Sequence, residues 1–138
     1  MFVLIIGLPG SGKSYYLNTI DSKYKFDDGF SLTNKEYRNH RNKVIHVSDA
    51  RFCNIEKLKL FLKTYQVKIN EVSIVLFEND KKKCIQNIQS RINQNPFIFE
   101  IQRFIFDIDR FSKTYKMQNY KIFDITRKDV YSVTQRNI

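Results

Sequence analysis

Residues that let a backbone bend sharply are scarce in this chain. Its 138 residues hold four glycines and two prolines, and three of the glycines fall within positions 7–12. No linker rich in Gly, Pro or Ser remains to separate two folding units, and there are no internal repeats or low-complexity tracts. One domain spanning 1–138 is therefore expected. Long apolar runs are missing too. The run that opens the chain, "MFVLII", has six residues, against the roughly 18 to 20 that cross a bilayer. It leads straight into glycines, so it reads as a buried strand and not as a signal peptide, and no membrane partner is expected. Cysteine is limited to Cys53 and Cys84, whose separation is not that of metal ligands. Two thiols without a secretory signal fit a reducing cytoplasm, and each reads as packing. Acidic residues are the minority charge, 14 against 24 Lys and Arg, for a net +10 and a pI near 9.6. A basic surface suits a polyanion such as nucleic acid. The charges are spread without a long basic block, which equally fits a composition rich in lysine and asparagine.

What is present begins with "GLPGSGKS" at 7–14, directly behind the apolar run. Gly7, four residues, then Gly12, Lys13 and Ser14 match G-x-x-x-x-G-K-[ST], the phosphate-binding P-loop or Walker A motif. Glycines allow the backbone N–H groups to point inward as an anion nest. The helix that starts near Lys13 ("KSYYLNTI") adds its positive N-terminal end. The nucleotide-binding set is then Gly7, Pro9, Gly10, Ser11, Gly12, Lys13, Ser14 and Tyr15. Lys13 is expected on the β- and γ-phosphates of ATP and Ser14 on Mg²⁺.

Along the rest of the chain short β runs alternate with helical periods. Strands are expected at 2–6, 23–26 ("KYKF"), 43–47 ("KVIHV"), 72–77 ("VSIVLF") and 120–125 ("YKIFDI"). Helices are expected from the P-loop to about Ile20, over 55–65 and over 81–92. Asn95-Pro96 opens a further helix with Phe97, Ile101, Phe104, Ile108, Phe111 and Tyr115 on one stripe. Phe99 and Phe106 fall off that stripe on a common side, as extra core or as an apolar face for self-association into a homo-oligomer. A lid region is placed at about 79–96 and a polar tail at about 126–138. Short right-handed crossovers favour a five-stranded parallel α/β sheet with helices on both faces, the three-layer P-loop NTPase fold of small-kinase type.

In such a sheet ligands bind beyond the carboxyl ends of the strands. That directs attention to Asp27 and Asp28, Asp49, Glu78 and Asp80, and Asp124. "VIHVSD" has the shape of a Walker B strand, whose Asp49 would join Ser14 on Mg²⁺. "FDD" ends an earlier strand, where Asp27 could take a proton from an attacking hydroxyl. Arg91 closes the helix after the fourth strand, as a lid arginine that neutralises charge on a moving phosphoryl group. Asp80, just before three lysines, reads as a helix cap. No N-K-x-D base-reading motif marks a GTPase, and the chain is too short for a motor core. Of the two histidines, His46 reads as packed within a strand. His40 lies in "YRNHRNK" with Arg38 and Arg41, a basic patch or a solvated loop near the acceptor.

The order "GLPGSGKS … FDD … VIHVSD … VLFEND … QSR … DRFSKTYK" resembles the kinase domain of the bacteriophage polynucleotide 5′-hydroxyl kinase family over roughly residues 1 to 116. The resemblance implies an ATP- and Mg²⁺-dependent transfer to a hydroxyl of a nucleic acid. It assigns Lys13 and Ser14 to phosphate and metal, Asp27 to the general base, Asp49 to the strand-end aspartate and Arg91 to the lid. Two departures bear on the acceptor. The family's arginine two residues after the aspartate pair, which contacts the acceptor phosphate, is Phe30 here, and the segment between Asp28 and Asp49 is shorter. Asp28, Arg38 and Arg41 are the candidate acceptor contacts. A nucleoside or nucleotide kinase, and a nucleotide-binding regulatory module with little turnover, stand as the alternatives.

Overall fold

A strand that is to be covered on both faces must carry apolar residues on both, and the first and fourth strands do. The computed structural model of the chain describes residues 1–94 and 99–131. Strand β1 (Phe2–Ile6) leads through the glycine-rich loop into helix α1 (Lys13–Thr19). Then follow β2 (Lys25–Phe26), α2 (Asn34–His40), β3 (Ile45–Ser48) and α3 (Ile55–Thr64). The chain continues with β4 (Val72–Phe77), α4 (Lys81–Gln94), α5 (Phe99–Thr114) and β5 (Asp124–Lys128). The five strands form one parallel sheet in the order β2-β3-β1-β4-β5. Phe2 stands opposite Ile45 on one side and Val72 on the other.

Alternation along the central strands feeds two separate cores. Phe2, Leu4 and Ile6 pack with Val72, Ile74 and Leu76 against Leu58 and Leu62 of α3 and Ile108 and Phe111 of α5. Ile5, Val75 and Phe77 turn the other way and meet Leu17 of α1. Helices therefore cover both faces of the sheet. Because every strand runs the same way, the glycine-rich loop, Asp27 and Asp28, Asp49 and Glu78 all gather along its carboxyl edge. Among the described residues no helix is long and apolar enough to cross a membrane.

The structure departs from the sequence reading at the sheet's edges. The last strand occupies Asp124–Lys128, not 120–125, so the expected polar tail contributes Thr126, Arg127 and Lys128 to the sheet. The aromatic residues that suggested an earlier strand do a different job. Tyr120, in the 3₁₀ turn Met117–Tyr120, and Phe123 are buried under the sheet, and the Tyr120 hydroxyl donates to the Phe52 carbonyl. Strand β2 pairs only through Lys25 and Phe26, shorter than 23–26. The segment expected to be a loop at the basic patch is α2, whose N-cap Thr33 accepts from the Glu36 N–H at 3.1 Å. Asp80 caps α4, accepting from the Lys83 N–H at 3.0 Å. The Asn95-Pro96 helix start lies outside the described residues, as does the side chain of Phe99. Phe106 is exposed at 65% and carries the Arg110 guanidinium 5.9 Å from its ring centre.

Candidate phosphate-binding site

The loop after β1 owes its shape to two glycines in the left-handed region, Gly10 at φ 81° and Gly12 at φ 98°. A Cβ at Gly10 would stand 2.6 Å from the Cys84 carbonyl, and one at Gly12 2.8 Å from Tyr131. Both conformation and space therefore demand glycine. Asn87 holds the loop from below. It is buried on α4, and its amide donates to the Gly10 carbonyl at 2.9 Å and to the Tyr131 carbonyl at 2.5 Å. The Tyr131 N–H returns to the Ser11 carbonyl at 3.1 Å. Gly7 leaves β1 against Ser11 and Phe77.

A cleft of about 310 Å³ opens above this loop. Pro9, Gly10, Gly12, Lys13 and Ser14 form its floor, Asp27, Asp28, Ser48 and Asp49 one wall, and Arg51 and Arg91 its rim. Lys13 Nζ donates to the Leu8 carbonyl at 2.8 Å. Burial lowers its pKa, opposed in part by the nearby Asp49 and Asp27 carboxylates. The Ser14 hydroxyl donates to both oxygens of Asp27, at 2.9 and 3.0 Å. Ser11 Oγ, Ser48 Oγ and Arg91 Nε are buried with no hydrogen-bond partner among the described residues. Buried polar groups in native proteins are nearly all satisfied, so three such groups around one loop mark a place where polar ligand atoms belong.

Asp49, expected to join Ser14 on Mg²⁺, is engaged by other partners in this structure. Its Oδ1 accepts from the Arg51 N–H and Nε, each at 2.9 Å, and its Oδ2 from the Gly29 N–H at 2.9 Å and from an Arg51 terminal nitrogen. Four donors occupy its acceptor positions, so direct metal ligation would break an existing bond. Burial pushes the Asp49 pKa up, but the Arg51 and Gly29 hydrogen bonds outweigh it and hold the carboxyl below its usual range. The same Arg51 reaches Asp28 at 2.6 Å. Magnesium keeps much of its water shell and needs only one or two protein oxygens beside phosphate. The adjacent oxygens of Ser14 and Asp27 fit that need, while Asp49 ties the Gly29 turn to Arg51. Among the described residues no three His, Cys, Asp or Glu side chains cluster to hold a metal by themselves.

The Asp49–Arg51 tie has a pH signature. Its folded pKa lies below that of an unfolded aspartate, about 3.9. The stability it contributes is full above that value and is lost as the pH falls through the lower folded one. Arg51→Met should cost about 2 kcal/mol at pH 7, the scale of hydrogen bonds to a charged group. The deficit should shrink as the pH falls through the lowered folded pKa, because wild type then loses the same tie. Urea unfolding at pH 7 and at pH 2 tests this, and equal midpoints for wild type and Arg51→Met at pH 7 would remove the tie as a source of stability.

Other expected residues lie elsewhere. Arg38 and Arg41 are exposed and do not line the cleft. The helix α2 turns Tyr37 inward to stack on Phe2 at 5.5 Å, which leaves Arg38 facing outward. Tyr15 packs edge-on against Tyr131 at 5.3 Å instead of lining the cleft. His40 packs tilted against Tyr24, ring centres 4.5 Å apart. His46 is half-buried, which lowers its pKa and keeps it neutral. Several residues of the site were not foreseen, among them Arg51, Ser48 and Phe104 in the cleft and Asn87 and Tyr131 beneath its loop. Asn87 had a legible signal, since a polar residue beside Ile88 and three after Cys84 falls on the apolar side of α4.

The chain thus carries a phosphate-loop sequence on the carboxyl edge of a parallel α/β sheet. No protein-family model matches it. It is 29% identical over 138 residues, spanning 94% of this chain and 96% of the other, to "Uncharacterized protein R277" of Acanthamoeba polyphaga mimivirus.

Proposed function

We propose that the protein is an ATP-dependent phosphotransferase of the P-loop NTPase fold, small-kinase type, that moves the γ-phosphoryl group to a hydroxyl of a nucleic acid or nucleotide. The observation that carries this reading is the convergence of Lys13, Asp27 and Arg91 on one cleft. Phosphoryl transfer asks mainly for positioning and charge neutralisation. Lys13 and the loop N–H groups bind the triphosphate. Arg91, with an unpaired buried Nε, supplies a fork for the transferring group. Asp27 sits where it can accept the proton of an incoming hydroxyl. Magnesium, when bound beside Ser14, would neutralise charge on the transferring phosphates; a carboxylate that ligates the metal is a poor base, so metal and proton are alternative roles for Asp27.

A nucleoside or nucleotide acceptor is the second reading. The outward placement of Arg38 and Arg41 favours it, because those residues were the expected track for a polymer. Labelled ATP offered with 5′-hydroxyl DNA, 5′-hydroxyl RNA, nucleosides and nucleoside monophosphates separates the two. A polymer acceptor should bind with a log–log salt slope of about −0.7 per contacted phosphate, whereas a single nucleotide gives a nearly flat response. Absence of transfer to every acceptor would leave a nucleotide-binding module.

A further inference from the structure

A second cavity, of about 380 Å³, lies beside the phosphate cleft and is not used by anything above. Its volume falls within the range of small-molecule sites, roughly 300–1,000 Å³. It opens between the 3₁₀ turn Gly29–Ser31 and α3, and Asp49 and Arg51 line both it and the cleft. That ion pair is common to both spaces.

The far side is aromatic. Phe52, Phe61 and Tyr65 form a continuous surface, with ring centres 4.9 Å apart for Phe52–Phe61 and 5.0 Å for Phe61–Tyr65. The Tyr65 hydroxyl donates to the Leu32 carbonyl at 2.6 Å, which fixes that wall. Gly29 keeps the passage open. A Cβ there would stand 3.0 Å from Asp49 Oδ2, 3.4 Å from Phe52 and 3.5 Å from Phe61. Lys57 and Arg51 place positive charge among the lining residues.

We infer that this cavity holds the nucleobase of the acceptor. A flat π-system stacks on aromatic side chains without needing a particular hydrogen-bond pattern. A ring held there, with its sugar passing Asp49 and Arg51, puts a sugar hydroxyl into the cleft that Asp27 lines. The inference rests on the phosphotransferase reading for what happens to that hydroxyl, but the seating of the base does not. The shared chemistry is a nucleobase one sugar away from the reacting oxygen, carried by a free nucleoside or by the end of a polynucleotide.

Thr64→Trp tests it. Thr64 is exposed on the last turn of α3, lines the cavity, and bonds only along its own helix, to the Leu60 carbonyl at 2.9 Å. An indole there fills the space without disturbing the core. Equilibrium dialysis without ATP measures binding of labelled nucleosides and of short 5′-hydroxyl oligonucleotides, with thermal melts to confirm folding. Wild type should bind one equivalent, and Thr64→Trp should weaken that at least tenfold. Leu60→Ala, which trims the rim, should weaken it a few-fold. Nucleosides binding as well as oligonucleotides would assign the cavity to a small acceptor. Tight binding confined to oligonucleotides, and lost in Thr64→Trp, would assign it to a polymer's terminal base. Either supports the inference. Binding lost in Thr64→Trp with no transfer to any acceptor would keep the cavity and sink the phosphotransferase. Transfer with unchanged acceptor KM in folded Thr64→Trp, or no nucleoside or oligonucleotide binding by wild type, would overturn the inference.

Discussion

Lys13→Ala should lower phosphoryl transfer by about 10³-fold or more, the scale of removing a charged donor from the transferring group. Its melting temperature should stay close to that of wild type. The ammonium makes a hydrogen bond to the Leu8 carbonyl, and the net worth of such a bond is about 1 kcal/mol. Against that, burial already disfavours its charge, so deletion costs the fold little. The same burial gives a second readout. Burial lowers the ammonium's pKa, and a bound triphosphate, an opposite charge, raises it again. ATP binding should therefore take up a proton as the solution pH approaches the lowered value, and Lys13→Ala should lose that uptake. Calorimetry in two buffers of different ionisation enthalpy measures it. Transfer at the wild-type rate by a folded Lys13→Ala protein would remove the loop from the mechanism.

Asp27→Asn is expected to slow transfer by roughly 10²–10⁴-fold, the usual range for loss of a general base. Its neighbour offers the control. Asp28 is 58% exposed on its side chain and pairs with Arg51. Exposed pairs of this kind contribute about 1 kcal/mol or less, so Asp28→Asn should change the rate several-fold at most. The contact between Asp27 and Ser14 adds a second test, because a carboxylate that helps hold Mg²⁺ can be compensated by more of it. A defect that persists at saturating Mg²⁺ places Asp27 on the acceptor proton; one that vanishes places it on the metal. Small, equal losses at Asp27 and Asp28 would favour the regulatory module.

The central sheet and the loop were legible in the sequence because both obey local rules. β1 and β4 are buried on two faces and read as apolar runs, β4 broken only by Ser73, and the loop's spacing is that of the phosphate chain it would hold. The edges were less legible. β5 is an edge strand whose Asp124, Thr126 and Arg127 are polar, while the nearby aromatic residues serve the core from a turn. The site was half legible for a related reason. Residues at strand ends announce themselves, so Asp27 and Asp49 could be named from the sequence, as could Arg91 from its place on the helix after β4, and all three line the cleft. Their partners come from elsewhere in the chain. The pairing of Asp28 with Arg51 spans 23 positions, and that of Asn87 with Gly10 spans 77. No local pattern records either. The missing arginine at Phe30 pointed to a lost basic group beside the aspartate pair; Arg51 brings one there from the other side of β3.

The amide of Asn87 joins three parts of the chain that lie far apart in sequence: the loop, the helix carrying Arg91 one turn further on, and the segment leaving the last strand. Cys84 and Ile88 anchor the same stretch of α4 in the core. This first half of the helix therefore behaves as part of the foundation, and Arg91 stands one turn beyond that anchor. Arg91 would then reach its target by changing rotamer or bending the last turn, over a few ångströms and not through a wide swing.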